Sequence, residues 1–60
     1  MLYKIYFTTF GYYSSHEFND LNALKKYVKS TSFQCKIEEF DGKEYKVILT
    51  YMPGSGFSKW

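Results

Sequence analysis

Arginine is missing from this chain, and all eight basic residues are lysine. A lysine ammonium is a mobile point charge without the planar fork that grips phosphates and guanine edges. Six carboxylates oppose the lysines and leave a net charge of only +2. That balance argues against a dedicated duplex-binding protein, and equally against an acidic mimic of DNA. Cysteine occurs once, as Cys35, so no internal disulfide can form. One thiol and one histidine, His16, fall short of the four ligands of a structural zinc site. No apolar run approaches the ~20 residues that cross a bilayer, so no membrane partner is expected. The opening MLYKIYFTTF alternates around Lys4 and has no small-residue cleavage site, unlike a signal peptide. An unpaired thiol without an export signal fits the reducing cytoplasm.

Aromatic residues are what the chain has in excess: seven Tyr, six Phe and one Trp, 23% of the sequence. A domain of this length buries roughly 60% of its unfolded surface and is marginal alone. Without disulfide or metal, stability has to come from dense aromatic packing and from association. A homo-oligomer, dimer or higher, is therefore expected.

Asn19 to Ser32 is the one run with a helical period. Leu21, Leu24, Tyr27 or Val28, and Thr31 recur three or four residues apart, while Lys25, Lys26 and Lys29 fall on other sides. Asn19 or Asp20 can cap the first turn, and Phe18 is placed to staple the incoming chain. Leu2 to Phe10 alternates as a strand, with Tyr3, Ile5, Phe7 and Thr9 on one side. After Gly11, residues 12–18 form either a loop or a short return strand. Phe33 to Phe40 and Lys43 to Met52 read as a hairpin around Asp41-Gly42. A two-residue turn there would put Cys35 and Ile37 on the face opposite Val47 and Leu49. A three-residue loop aligns the apolar sets but opposes Lys36 with Lys46 and Glu38 with Glu44, which is unfavourable. A shift by two residues opposes Glu38 with Lys46 instead, so the register stays open.

The expected fold is α+β, a three- to four-stranded, mainly antiparallel sheet with one helix packed on one face. It occupies residues 1–52 as a single small domain. The expected core is Tyr3, Ile5, Phe7, Leu21, Leu24, Tyr27, Val28, Phe33, Cys35, Ile37, Tyr45, Val47 and Leu49. Residues 53–60 form a Gly/Pro-containing tail, turn-rich around Pro53, Gly54 and Gly56. Its Phe57 and Trp60 either fold back over a sheet edge or stand out as an anchor.

No catalytic, metal or cofactor signature is present. His16 lacks a recognisable nucleophile or second base and reads as a surface turn residue. Cys35, inside an apolar set, reads as a buried structural thiol. Gly54-Ser55-Gly56 lacks the Lys-Ser/Thr ending of a phosphate loop. Glu38, Glu39, Asp41 and Glu44 cluster at the hairpin tip without calcium-loop spacing. The surface that invites a role is the sheet face away from the helix. It is expected to gather Lys4, Tyr6, Phe10, Lys36, Phe40, Lys46, Ile48 and Met52, with Phe57 and Trp60 added from the tail. Several apolar residues in one patch mark an interface with protein. Aromatics interleaved with lysine on an open sheet also suit single-stranded bases, so nucleic-acid or nucleotide binding is the alternative.

The motifs FGYY (10–13), EFNDLNALKKY (17–27), DGK (41–43) and YMPGSG (51–56) follow the strand, helix and hairpin in order. In that order the chain loosely resembles very short accessory proteins of bacteriophages and other mobile elements, which have one helix on a small sheet. The resemblance implies a non-enzymatic protein of the host-cell cytoplasm that inhibits or modulates a host protein, a defence protein included. It defines no functional residues.

Overall fold

Tyr, Ile and Phe extend the first segment as their β preference demands, but the strand stops before its sequence pattern does. The computed structural model describes residues 2–60, and strand β1 runs Tyr3–Phe7. The Phe7 carbonyl accepts the amides of both Phe10 and Gly11. Gly11 sits at φ 78°, the left-handed region that a residue without Cβ enters freely. The chain returns as β2, Tyr12–Tyr13, with Tyr13 opposite Tyr6 and Tyr12 opposite Phe7. The return strand is therefore real, though only two residues long.

Helix α1 spans Leu21–Thr31. Asp20, not Asn19, is its cap: the carboxylate accepts the Asn22 amide at 3.0 Å, an arrangement worth about 1 kcal/mol. The helix closes without glycine. Ser32 takes the left-handed conformation at φ 60°, which costs an L-residue roughly 1–2 kcal/mol. Local bonds offset part of that cost, since Ser32 N–H and the Thr31 hydroxyl both donate to the Val28 carbonyl.

Strands β3 (Cys35–Phe40), β4 (Tyr45–Met52) and β5 (Gly56–Lys59) complete an antiparallel sheet of order β2-β1-β3-β4-β5. The α+β class matches the sequence expectation, with five strands in place of three or four. The additional strand comes from the tail. Pro53 to Ser55 turn the chain, Met52 faces Gly56, and Tyr51 faces Phe57. Gly54 and Gly56 supply the positive φ angles that this turn requires.

One helix side of the sheet carries the core. Ile5 and Phe7 of β1, Cys35 and Ile37 of β3 and Tyr51 of β4 are buried together with Leu24 and Val28 of α1. Each such aliphatic side chain contributes about 1.5–3 kcal/mol by leaving water. Tyr3, Phe18, Leu21, Ile48, Leu49 and Phe57 pack around them. Tyr27 and Phe33, expected inside, are exposed. Tyr27 lies to one side of the narrow Leu24–Val28 stripe, against Phe18. Phe33 follows the helix end and meets Phe7 and Phe10 edge-on at the rim of the core.

The β3–β4 hairpin resolves the register conflict with a bulge. Cys35 faces Tyr51 and Ile37 faces Leu49, but Glu38 faces Val47, leaving Ile48 unopposed. The extra residue lets Ile48 and Leu49 both pack on the core. Beyond it the faces are exchanged, so Val47 and Tyr45 stand with Glu38 and Phe40 on the side away from the helix. Their expected places in the core are thereby corrected. The charge pattern shows the benefit. Lys46 now faces Glu39 and Lys36 faces Thr50, so neither like-charge pair of the straight three-residue register forms. A four-residue loop, Asp41 to Glu44, closes the tip. There the Asp41 carboxylate accepts the Lys43 and Glu44 amides.

Candidate functional site

The sheet face away from α1 falls into two halves with different chemistry. Its first half is built around Lys4 of β1, which faces Glu38 of β3. The Lys4 ammonium lies 3.9 Å from the centre of the Tyr45 ring and 4.8 Å from that of Tyr13. Both phenols are themselves tied down. Tyr13 donates to Glu38 at 2.9 Å, and Tyr45 donates to Glu17. The bonds to carboxylates raise the pKa of Tyr13 and of Tyr45 above the ordinary 10.0, because a phenolate would face a carboxylate. Tyr6 meets Tyr13 edge-on at 5.0 Å, and Phe40 packs tilted against Tyr45 at 5.1 Å. Lys4 is held by two rings, Glu38 and Glu17 each accept a phenol hydroxyl, and the rings are braced by one another.

The second half is open. Lys36, Thr50 and Ser58 lie side by side across β3, β4 and β5. With Thr8, Ser55 and Trp60 they line a cavity of about 400 Å³. Trp60 follows β5, its amide donating to the Ile48 carbonyl, and the residue is 70% exposed. The Lys36 ammonium sits 4.9 Å from that ring's centre. Its neighbours across the strands, Tyr6 and Thr50, are uncharged. The one ion pair among the described residues is Lys46 with Asp41 at the hairpin tip; Lys36, like Lys4, is in none, but it rests on one exposed ring where Lys4 lies between two.

A third surface lies on the helix side, at the end of the sheet where α1 stops. Phe10 stacks on Tyr12 at 5.6 Å and meets Phe33 edge-on at 4.8 Å, all three around Phe7. Phe10, Tyr12 and Phe33 are 47%, 57% and 43% exposed. Three adjoining rings that together expose so much area form a contiguous apolar patch rather than scattered residues. The patch borders β2, an edge strand of the sheet.

The structure thus brings together Lys4, Tyr6, Lys36, Phe40, Met52 and Trp60 on the face expected from the sequence, and removes four others. Phe10 lies past the end of β1, and the Phe7–Gly11 turn carries it to Phe33. Ile48 is turned inward by the bulge. Lys46, one residue from Val47, points to the opposite side and pairs with Asp41 at 3.3 Å. Phe57 stacks on Tyr51 at 4.7 Å within the packed side. Missed by sequence reasoning were Tyr13 and Tyr45, which lock Lys4, and Tyr12 and Phe33 in the aromatic end. The FGYY run held the signal for the last surface, because a turn glycine between aromatic residues has to place some of them outside a short sheet.

The remaining candidates are quiet. His16 is exposed in the loop before the helix, where its own amide bonds the Ser14 hydroxyl. Cys35 is buried, and burial pushes its thiol up to about 11, the reverse of an activated nucleophile. Asp41 is held down to about 2, first by the amides of Glu44 and Lys43 and then by Lys46. Both of its oxygens are thus engaged at the hairpin tip. No group of three or more metal-ligating side chains occurs among the described residues, and none of their helices is long and apolar enough to cross a membrane. No family model, curated protein or solved structure matches this chain.

Proposed function

We propose that the chain is a non-enzymatic binding protein that meets a protein partner through its aromatic end. The observation that carries this reading is the exposed cluster of Phe10, Tyr12 and Phe33. Burying rings of this size on a partner returns about 25 cal/mol for each Å² removed from water. Protein interfaces are enriched in such aromatic anchors. The resemblance to short phage accessory proteins gives the setting: a modulator or inhibitor of a host protein, acting in the host cytoplasm. Self-association through the same end is the homo-oligomeric form of this activity.

The test is native mass spectrometry of the chain gently purified from its producing cell, beside the double variant Phe10→Ser/Phe33→Ser. The wild type is expected to carry a stoichiometric protein, either a second copy or a different chain. The variant is expected to run as a bare 7.2 kDa species with its helical circular dichroism intact. A complex that survives the double substitution would overturn the assignment of this surface.

A further inference from the structure

The cavity beside Trp60 is independent of the aromatic end, and its lining chemistry is of another kind. An ammonium, an exposed indole and hydroxyls from Thr8, Thr50, Ser55 and Ser58 converge on about 400 Å³. That volume lies within the range of small-ligand sites, roughly 300–1,000 Å³. Lys36 rises from the sheet, flanked across the strands by uncharged Tyr6 and Thr50, and leans on Trp60, while Glu38, two residues along β3 on the same face, is bonded to Tyr13. A half-buried cation with no carboxylate partner is set to take an anion. The indole offers a flat π surface on which a base can stack, and the surrounding hydroxyls can donate to, or accept from, a ribose and a base edge.

The geometry points to a nucleotide site: a base on the Trp60 ring, a phosphate on Lys36, and a sugar among the hydroxyls of Thr50, Ser55 and Ser58. The unit can come from a free mononucleotide or from single-stranded nucleic acid, since both present a base and a phosphate. Duplex is disfavoured, because its bases are stacked and out of reach of the indole. The locked half of the face takes no part, as its lysine and tyrosines are already engaged.

Trp60 is the only tryptophan, so its fluorescence reports this site without ambiguity. The wild type would be titrated with adenosine 5′-monophosphate, with uridine 5′-monophosphate, with adenosine, and with a short oligothymidylate. Saturable quenching by a monophosphate, weakened about tenfold or more when the phosphate is absent, is the expected result. Lys36→Met should weaken binding by a similar factor, and Lys36→Arg should restore much of it. Circular dichroism of both variants guards against misfolding. Saturation by the oligonucleotide alone would support the site and assign it to single strands. Absence of saturable quenching by any probe into the millimolar range would overturn the proposal. So would binding indifferent to Lys36→Met. Neither outcome touches the aromatic end, whose test reads a protein mass.

Discussion

Lys4 and Lys36 stand on the same face of one sheet, on neighbouring strands, and their surroundings differ in a way that separates structure from availability. Lys4 has a carboxylate opposite it and two rings around it, and those rings are bonded to Glu38 and Glu17. Lys36 has an indole and a ring of neutral hydroxyls. The first lysine completes a network that spans the face from the Glu17 loop to β4 and braces the sheet. The second leaves its charge uncompensated over a concavity. An aromatic-lysine pattern in a sequence cannot distinguish these roles. What decides is how many rings enclose the ammonium, two at Lys4 and one at Lys36, and the β3–β4 bulge sets that by turning Tyr45 toward Lys4.

The bulge is thus the first place to break the comparison. Ile48→Ser is expected to destabilise the fold by about 1–3 kcal/mol, because Ile48 packs on the core. Val47→Ser, one residue away on the other face, should cost about 1 kcal/mol or less. Urea denaturation of the two variants reads the difference. Equal costs would mean that no bulge exchanges the faces.

A smaller effect separates the two lysines. Lys4→Met is expected to lower stability by about 1 kcal/mol, the scale of its contacts with two rings. Lys36→Met should stay within about 0.5 kcal/mol of wild type and lose only the ligand. Thermal melts of both variants, compared with the Trp60 titration, sharpen the contrast. A Lys36 variant as damaged as the Lys4 variant would place Lys36 in the bracing network.

The smallest effect is a pH dependence at the alkaline end. Tyr13 and Tyr45 have folded-state pKa values raised above 10.0, in each case chiefly by the bond to a carboxylate. A group whose pKa rises on folding favours its protonated form in the folded state. Its stabilising contribution is therefore complete below pH 10 and is lost as pH climbs through the folded values. Absorbance titration of the tyrosinates should show three phenols ionising late, Tyr13 and Tyr45 together with Tyr3, which desolvation and then Glu39 raise. Glu38→Gln should bring one of them, Tyr13, back toward its ordinary range.

Much of this architecture was legible in the sequence because local and global preferences agree there. Leu24 and Val28 lie on one helical stripe, and Ile5, Phe7, Cys35 and Ile37 alternate on two strands, so period alone identifies them. The hairpin was legible only as a conflict. Both straight registers violated something, hydrophobic parity in one and like charge in the other, and a bulge satisfies both. Val47, Ile48 and Leu49 form a continuous apolar run in which no period can show where the face changes. The tail hid a strand because Pro53, Gly54 and Gly56 are turn formers, yet a turn followed by Phe57 two residues before Lys59 is also what a closing hairpin looks like. For the sites, the residue types were visible and their partners were not. Tyr13 meets Glu38 across 25 positions, and Tyr45 meets Glu17 across 28, separations that only the folded sheet closes.

Competitive amine labelling tests the division of the open face most directly. The folded protein would be acetylated under limiting reagent, and the extent at each of the eight lysines read by mass spectrometry of its peptides. Lys4, caged between Tyr13 and Tyr45, should react several-fold more slowly than Lys36, and added adenosine 5′-monophosphate should slow Lys36 alone. Lys4 reacting as fast as Lys36 would contradict the account, since it would show that the two halves of the face are equally open.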